Sequence, residues 1–139
     1  MIYDAGISDF QARISRSFAE GLAESGWHVE MTTASRQTPT DLSSYSLVAI
    51  GAPIYARMPS PPLTAYLERL ETFDGKQVAI TITGAGEGVL ALEYVSSLVA
   101  EMRGEPVLEL VLYTQASNEM PFGSGNAVKI ARDAALSLT

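Results

Sequence analysis

Three short runs of this chain carry residue types and spacings from which a ligand site can be built. The first, Asp4-Ala5-Gly6-Ile7-Ser8-Asp9-Phe10, puts a glycine and a hydroxyl directly ahead of a helical pattern. Backbone N–H groups at a helix start can hold an anion, and glycine lets the backbone come close to it. Ser8 is the hydroxyl in that run. Ser8-Asp9-Phe10-Gln11 also matches a capping box, which would engage the Ser8 hydroxyl and turn Gln11 back toward the helix start. Asp9 gains from the helix dipole in the first turn. Unless its carboxylate points outward, it would repel a phosphate there by roughly 3 kcal/mol, for about 6 Å and an effective dielectric of about 20.

The second run, Ala52 to Pro59, suits a flat ring. Gly51 and Pro53 keep the backbone close to a ligand, and Tyr55 offers either an aromatic face to it or a cap on the core beneath. Arg57 either reaches the polar side of such a ring or a carboxylate, or stands in solvent. The third run, Thr83-Gly84-Ala85-Gly86-Glu87-Gly88, follows a strand and opens a helix, as a dinucleotide fingerprint does. Val89 stands where that pattern needs its last glycine, so the plainer expectation is a Gly loop admitting a ligand or a partner.

Other chemistries are excluded by composition. The chain has no cysteine, which removes disulfides, Fe–S clusters and thiolate zinc sites. His28, beside Trp27, is the single histidine and is expected at the surface or in packing. No acid or base stands out as catalytic. A net charge of −7 argues against general nucleic-acid binding and suits either simple solubility or steering toward a basic protein partner. No run approaches the about 20 apolar residues of a membrane helix, and Met1-Ile2-Tyr3-Asp4 lacks a signal-peptide pattern, so a cytoplasmic protein is expected.

The elements that would position these runs follow from apolar periodicity. One domain over residues 1–139 is expected from the length and from the lack of repeats or linkers. Phe10, Ile14, Phe18 and Leu22 form one stripe of a helix over Asp9 to Ser25, closed by Gly26. Trp27 to Thr33 is expected as a strand. Leu47-Val48-Ala49-Ile50 reads as a strand buried on both faces. Ser60-Pro61-Pro62 is a helix start with a Ser cap, and Leu63, Tyr66, Leu67 and Leu70 give the buried stripe. Val78 to Thr83 and Val107 to Tyr113 are strands. Leu90, Tyr94, Leu98 and Met102 mark a third helix, and Ala127 to Leu138 a last one. Between Ala34 and Tyr45, where a crossover helix belongs, Pro39 and the many hydroxyls leave room only for a short one. The opening strand, Met1 to Asp4, is shorter than the typical length of about 5–6 residues, so either it is short or residues precede it. Alternation of strands and helices predicts an α/β domain with a parallel sheet and helices on both faces. Ligands of such sheets bind beyond the carboxyl ends of the strands, where the three runs fall.

Tyr45-Ser46-Leu47-Val48-Ala49-Ile50-Gly51-Ala52-Pro53-Ile54-Tyr55, with Pro59, Pro61, Leu63 and the helix around Tyr66-Leu67-Glu68-Arg69-Leu70, resembles the flavodoxin and NADPH-dependent FMN reductase superfamily. Lys76 to Gly86 is similar to the same family's fourth strand and third loop. The resemblance implies a doubly wound, parallel five-stranded sheet of order 2-1-3-4-5, and FMN as cofactor, with the phosphate against Gly6, Ile7, Ser8, Asp9 and Phe10. It places the ring against Ala52, Pro53, Ile54, Tyr55, Ala56 and Arg57, and ring-edge contacts at Thr83, Gly84, Ala85 and Gly86. It implies electron transfer to a redox partner or a small flavin reductase. Family members that bind FMN carry more hydroxyls in the first loop, where this chain has Ala5, Ile7 and Phe10. That departure leaves a second expectation open, a flavin-free module that binds a protein or a small ligand. A phosphorylatable receiver would need an Asp at the end of the third strand, where Gly51-Ala52-Pro53 stands.

Overall fold

The computed structural model describes residues 1–85, 88–114 and 126–138. The elements are β1 (Ile2–Tyr3), α1 (Phe10–Glu24), β2 (Thr32–Thr33), β3 (Leu47–Tyr55), β4 (Met58–Pro59), α2 (Pro61–Leu70), β5 (Gln77–Gly84), α3 (Val89–Glu101), β6 (Glu105–Tyr113) and α4 (Ala127–Leu136). Five strands run parallel in the order β2-β1-β3-β5-β6. This is the expected 2-1-3-4-5 sheet, to which the short β4 adds an antiparallel pairing on the end of β3.

Successive residues of the central strands enter opposite layers, as the period of two requires. Val48, Ile50 and Ala52 of β3 join Leu63, Tyr66 and Leu67 of α2 and Ala91, Val95 and Val99 of α3. Ala49 of β3 and Ala79 of β5 join Phe10, Ile14, Phe18 and Leu22 of α1 with Ile130, Ala131 and Ala134 of α4. The apolar stripe of α1 is therefore buried as expected, and Gly26, at φ +103°, follows its end. The α1–α4 pair is also tied by donors to backbone oxygens: Ser17 Oγ to Val128, Ser25 Oγ to Leu136 and Trp27 Nε1 to Leu138.

Two expected elements are shorter. The strand over Trp27 to Thr33 contracts to Thr32–Thr33, which pair in parallel with Ile2 and Tyr3 of β1. The stretch from Ala34 to Tyr45 forms no helix. Its coil is held from within by Thr38, whose hydroxyl donates to Thr33 O at 2.6 Å. From α2, Arg69 donates to Ser35 O at 2.6 Å and Thr38 O at 2.9 Å, and the Tyr66 hydroxyl donates to Pro39 O at 2.7 Å. His28 stands in solvent, 4.0 Å from Glu30.

Ser60 occupies the N-cap of α2 with extended dihedrals (φ −60°, ψ 144°), and prolines fill the first positions. Its side chain makes no capping bond, contrary to expectation, and its buried Oγ has no hydrogen-bond partner among the described residues. An unpaired buried hydroxyl costs stability, so Ser60→Ala is expected to raise the unfolding free energy by about 1 kcal/mol in urea titration. A loss of stability would show that the hydroxyl is engaged.

Candidate functional site

The three runs gather at the carboxyl ends of β1, β3 and β5. Strand order reverses between β1 and β3, because the chain passes from β2 across β1 to reach β3. That is where doubly wound sheets hold ligands.

In the first loop, Gly6 sits at φ +74° and its N–H donates to Asp4 Oδ1 at 3.2 Å. Ile7 N–H donates to the Tyr55 hydroxyl at 3.1 Å, across 48 residues of sequence. The N–H of Phe10 reaches Ser8 Oγ at 3.5 Å. Asp9 is the N-cap of α1 without a capping bond, and it points outward to Arg13, 3.5 Å away and likewise exposed. The repulsion expected from Asp9 is thus relieved by its direction, and the carboxylate inside the loop is that of Asp4.

The capping box does not form. Gln11 is 1% exposed and turns under the site instead of back to the helix start. Its Nε2 donates to Ser15 Oγ at 3.0 Å and to Thr81 Oγ1 at 3.4 Å, and its Oε1 accepts from Thr83 Oγ1 at 2.6 Å. Thr81 Oγ1 in turn donates to Ile50 O at 3.4 Å. This buried network, satisfied across α1, β3 and β5, fixes the strand ends beneath the three runs. Gly51 is required beside it: a Cβ there would lie 2.6 Å from both Gln11 Nε2 and Thr81 Oγ1.

The expected loop from Ala52 to Pro59 is mostly strand. β3 continues through Tyr55, and Tyr55↔Met58 and Ile54↔Pro59 pair with β4. Only Ala56 and Arg57 turn, at φ +49° and +69°, the signs of a type I′ hairpin. This short hairpin holds Tyr55 close to the first loop.

Of the predicted residues, Phe10, Ala52 and Thr83 have buried side chains, so only their backbone is available to a ligand. Gly6, Ile7, Ser8, Asp9, Pro53, Ile54, Tyr55, Ala56, Arg57, Gly84 and Ala85 lie on the three runs at the strand ends. Gly86 lies outside the described residues. Sequence reasoning missed Asp4 as a loop acceptor, Gln11, Thr81, and Tyr113, whose hydroxyl accepts from Gly88 N–H at 3.2 Å. The polar Gln11 within the apolar stripe of α1 was the available signal. Apolar side chains stand exposed around this end of the sheet: Ile7 at 96%, Tyr55 at 36%, Val89 at 56% and Leu90 at 58%. Such a rim suits a flat, largely apolar ligand.

FMN joins a flat ring to a phosphate, and the two halves fit differently. The exposed Tyr55 ring and its apolar surroundings fit the ring. The first loop does not fit the phosphate in this arrangement. The N–H groups of Gly6, Ile7 and Phe10 already hold oxygen acceptors from the chain. A single added carbon on Gly6 would lie 2.9 Å from the Tyr55 hydroxyl and 2.9 Å from Pro53 Cγ.

A separate cavity of about 320 Å³ opens at the opposite, amino end of the sheet, beside Met31, Leu42 and Val48. Among the described residues, no group of three or more His, Cys, Asp or Glu is placed to hold a metal ion. None of the described helices is long and apolar enough to cross a membrane.

The sequence matches no protein-family model and no curated protein. Solved structures are similar throughout. Oxidised Flavodoxin 2 from Bacillus cereus superposes with a TM-score of 0.78 at 18% identity, covering 98% of this chain and 94% of that one. A flavodoxin from the domain Archaea gives 0.77 at 11% identity, covering 99% and 93%. Rubredoxin oxygen:oxidoreductase from Desulfovibrio gigas gives 0.76 at 13% identity, where 99% of this chain covers 35% of that one. At these identities the likeness is one of fold, and this chain has the flavodoxin-like fold.

Proposed function

We propose that this flavodoxin-like chain is a flavin-binding electron-transfer protein whose ring site is the crevice beside Tyr55. FMN is the flavin that the sequence resemblance implies. The exposed apolar side chains of Ile7 and Tyr55 at the topological switch point, with Val89 and Leu90 at the start of α3 beyond β5, carry the proposal. A bound flavin supplies the electron-accepting chemistry. The chain orients it: the Gln11–Thr81–Thr83 network holds the strand ends rigid, and the two-residue hairpin sets the Tyr55 ring beside them. Its negative charge, −7 overall, disfavours adding electrons to the site and favours a basic redox partner.

The engaged N–H groups of the first loop favour a second reading, a flavin-free module of the same fold that binds a protein or small ligand. Incubation with excess flavin followed by gel filtration separates the two. Visible flavin absorbance that travels with the folded protein is the expected result. A colourless protein peak after both FMN and riboflavin, with native circular dichroism, would move the assignment to the flavin-free module.

A further inference from the structure

The mismatch in the first loop is itself specific about the ligand. We propose that the crevice selects a flavin without a phosphate, riboflavin over FMN, and that Tyr55 and Asp4 make the selection. This rests on the flavin reading above and concerns which flavin the same site takes.

A phosphate bears only acceptors at neutral pH, so it needs donors, and a nearby cation strengthens the grip. The first loop offers the reverse. Its Gly6 N–H is turned to the Asp4 carboxylate and its Ile7 N–H to the Tyr55 hydroxyl. Asp4 to Phe10 contains no Lys or Arg. The described cation nearest in sequence, Arg13, faces outward and pairs with Asp9. To enter, a phosphate would have to displace the Tyr55 hydroxyl and then stand beside the Asp4 carboxylate, acceptor against acceptor and charge against charge.

The ribityl chain of riboflavin matches this surface. Its hydroxyls both donate and accept, so they can donate to Asp4, which has lone pairs beyond the one used by Gly6, and to the Tyr55 oxygen. Both loop bonds can then persist on binding. The phenol that frames the ring thus also holds the loop closed against a phosphate.

The test is a fluorescence-quenching titration of the intact chain with riboflavin and with FMN, in wild type, Tyr55→Phe and Asp4→Asn. Wild type is expected to bind riboflavin at least about tenfold more tightly than FMN. Tyr55→Phe releases the Ile7 N–H, and Asp4→Asn removes the opposing charge. Each is expected to raise FMN affinity by about tenfold and to weaken riboflavin by about tenfold, because each also removes an acceptor for the ribityl hydroxyls, so that the preference reverses. Circular dichroism confirms that each variant is folded. Tighter FMN than riboflavin in wild type, or an unchanged preference in both variants, would overturn the selection and leave the flavin reading standing. Binding of neither flavin to wild type would overturn both.

Discussion

Gly51→Ala is expected to lower the unfolding free energy by about 3 kcal/mol, combining overpacking with the loss of a buried hydrogen bond. Gly51 lies in β3, opposite Tyr3 of β1 and Thr81 of β5, in the middle of the sheet. The new Cβ would come within 2.6 Å of Gln11 Nε2 and Thr81 Oγ1 and 3.3 Å of Met1 Cε. The thioether can swing aside, but Gln11 is held by Ser15, Thr81 and Thr83. Moving it leaves hydroxyls buried without partners. A loss of this size is a large share of the roughly 5–15 kcal/mol that holds a domain folded. Because clash and network are one event, Gly51→Ala and Gln11→Ala should combine to less than the sum of their separate costs in urea denaturation. Strict additivity would show that Gln11 does not meet the new methyl.

Tyr66→Ala is expected to cost about 4 kcal/mol and Tyr66→Phe about 1 kcal/mol, the difference being the buried ring and the remainder the hydroxyl. The ring is 1% exposed in the α2–α3 layer, and the hydroxyl donates to Pro39 O in the helix-free crossover. With Arg69, whose guanidinium lies over the ring and also grips the crossover, Tyr66 does the work of the missing helix. Burial raises the Tyr66 phenol above its ordinary value of 10.0, opposed in part by the Arg69 charge. A raised pKa means that the folded state favours the protonated phenol. That contribution is complete below the ordinary value and fades as pH rises through the raised one. Wild type should therefore lose stability above about pH 10 more steeply than Tyr66→Phe. Equal slopes would mean that another group governs the alkaline limb.

Features set by local pattern were legible in the sequence. The α1 stripe, the doubly buried β3 and the alternation of strands and helices follow from periodicity, whereas the sheet order came with the family resemblance. Features set by distant partners were not. Ser8-Asp9-Phe10-Gln11 carries a valid capping box, yet Gln11 finds Thr81 and Thr83 some 70 residues away and turns inward. The length of β2 depends on its pairing with Ile2 and Tyr3 of β1, which Trp27 to Thr33 does not encode. The hairpin after Tyr55 lacks the Asn-Gly signal of its turn type, and Ala56 and Arg57 adopt positive φ within the β3–β4 pairing. At the site, the weakness of the phosphate loop was visible in Ala5, Ile7 and Phe10. That Tyr55 and Asp4 hold its N–H groups required the fold.

A flavin held beside Tyr55 would be seen residue by residue in an amide ¹H–¹⁵N correlation spectrum of the labelled chain during riboflavin titration. Shifts are expected at Gly6, Ile7, Tyr55, Arg57, Ala85 and Val89, with residues beside the amino-end cavity, Met31, Leu42 and Val48, unmoved. Shifts centred on that cavity, or no shifts at all, would contradict it.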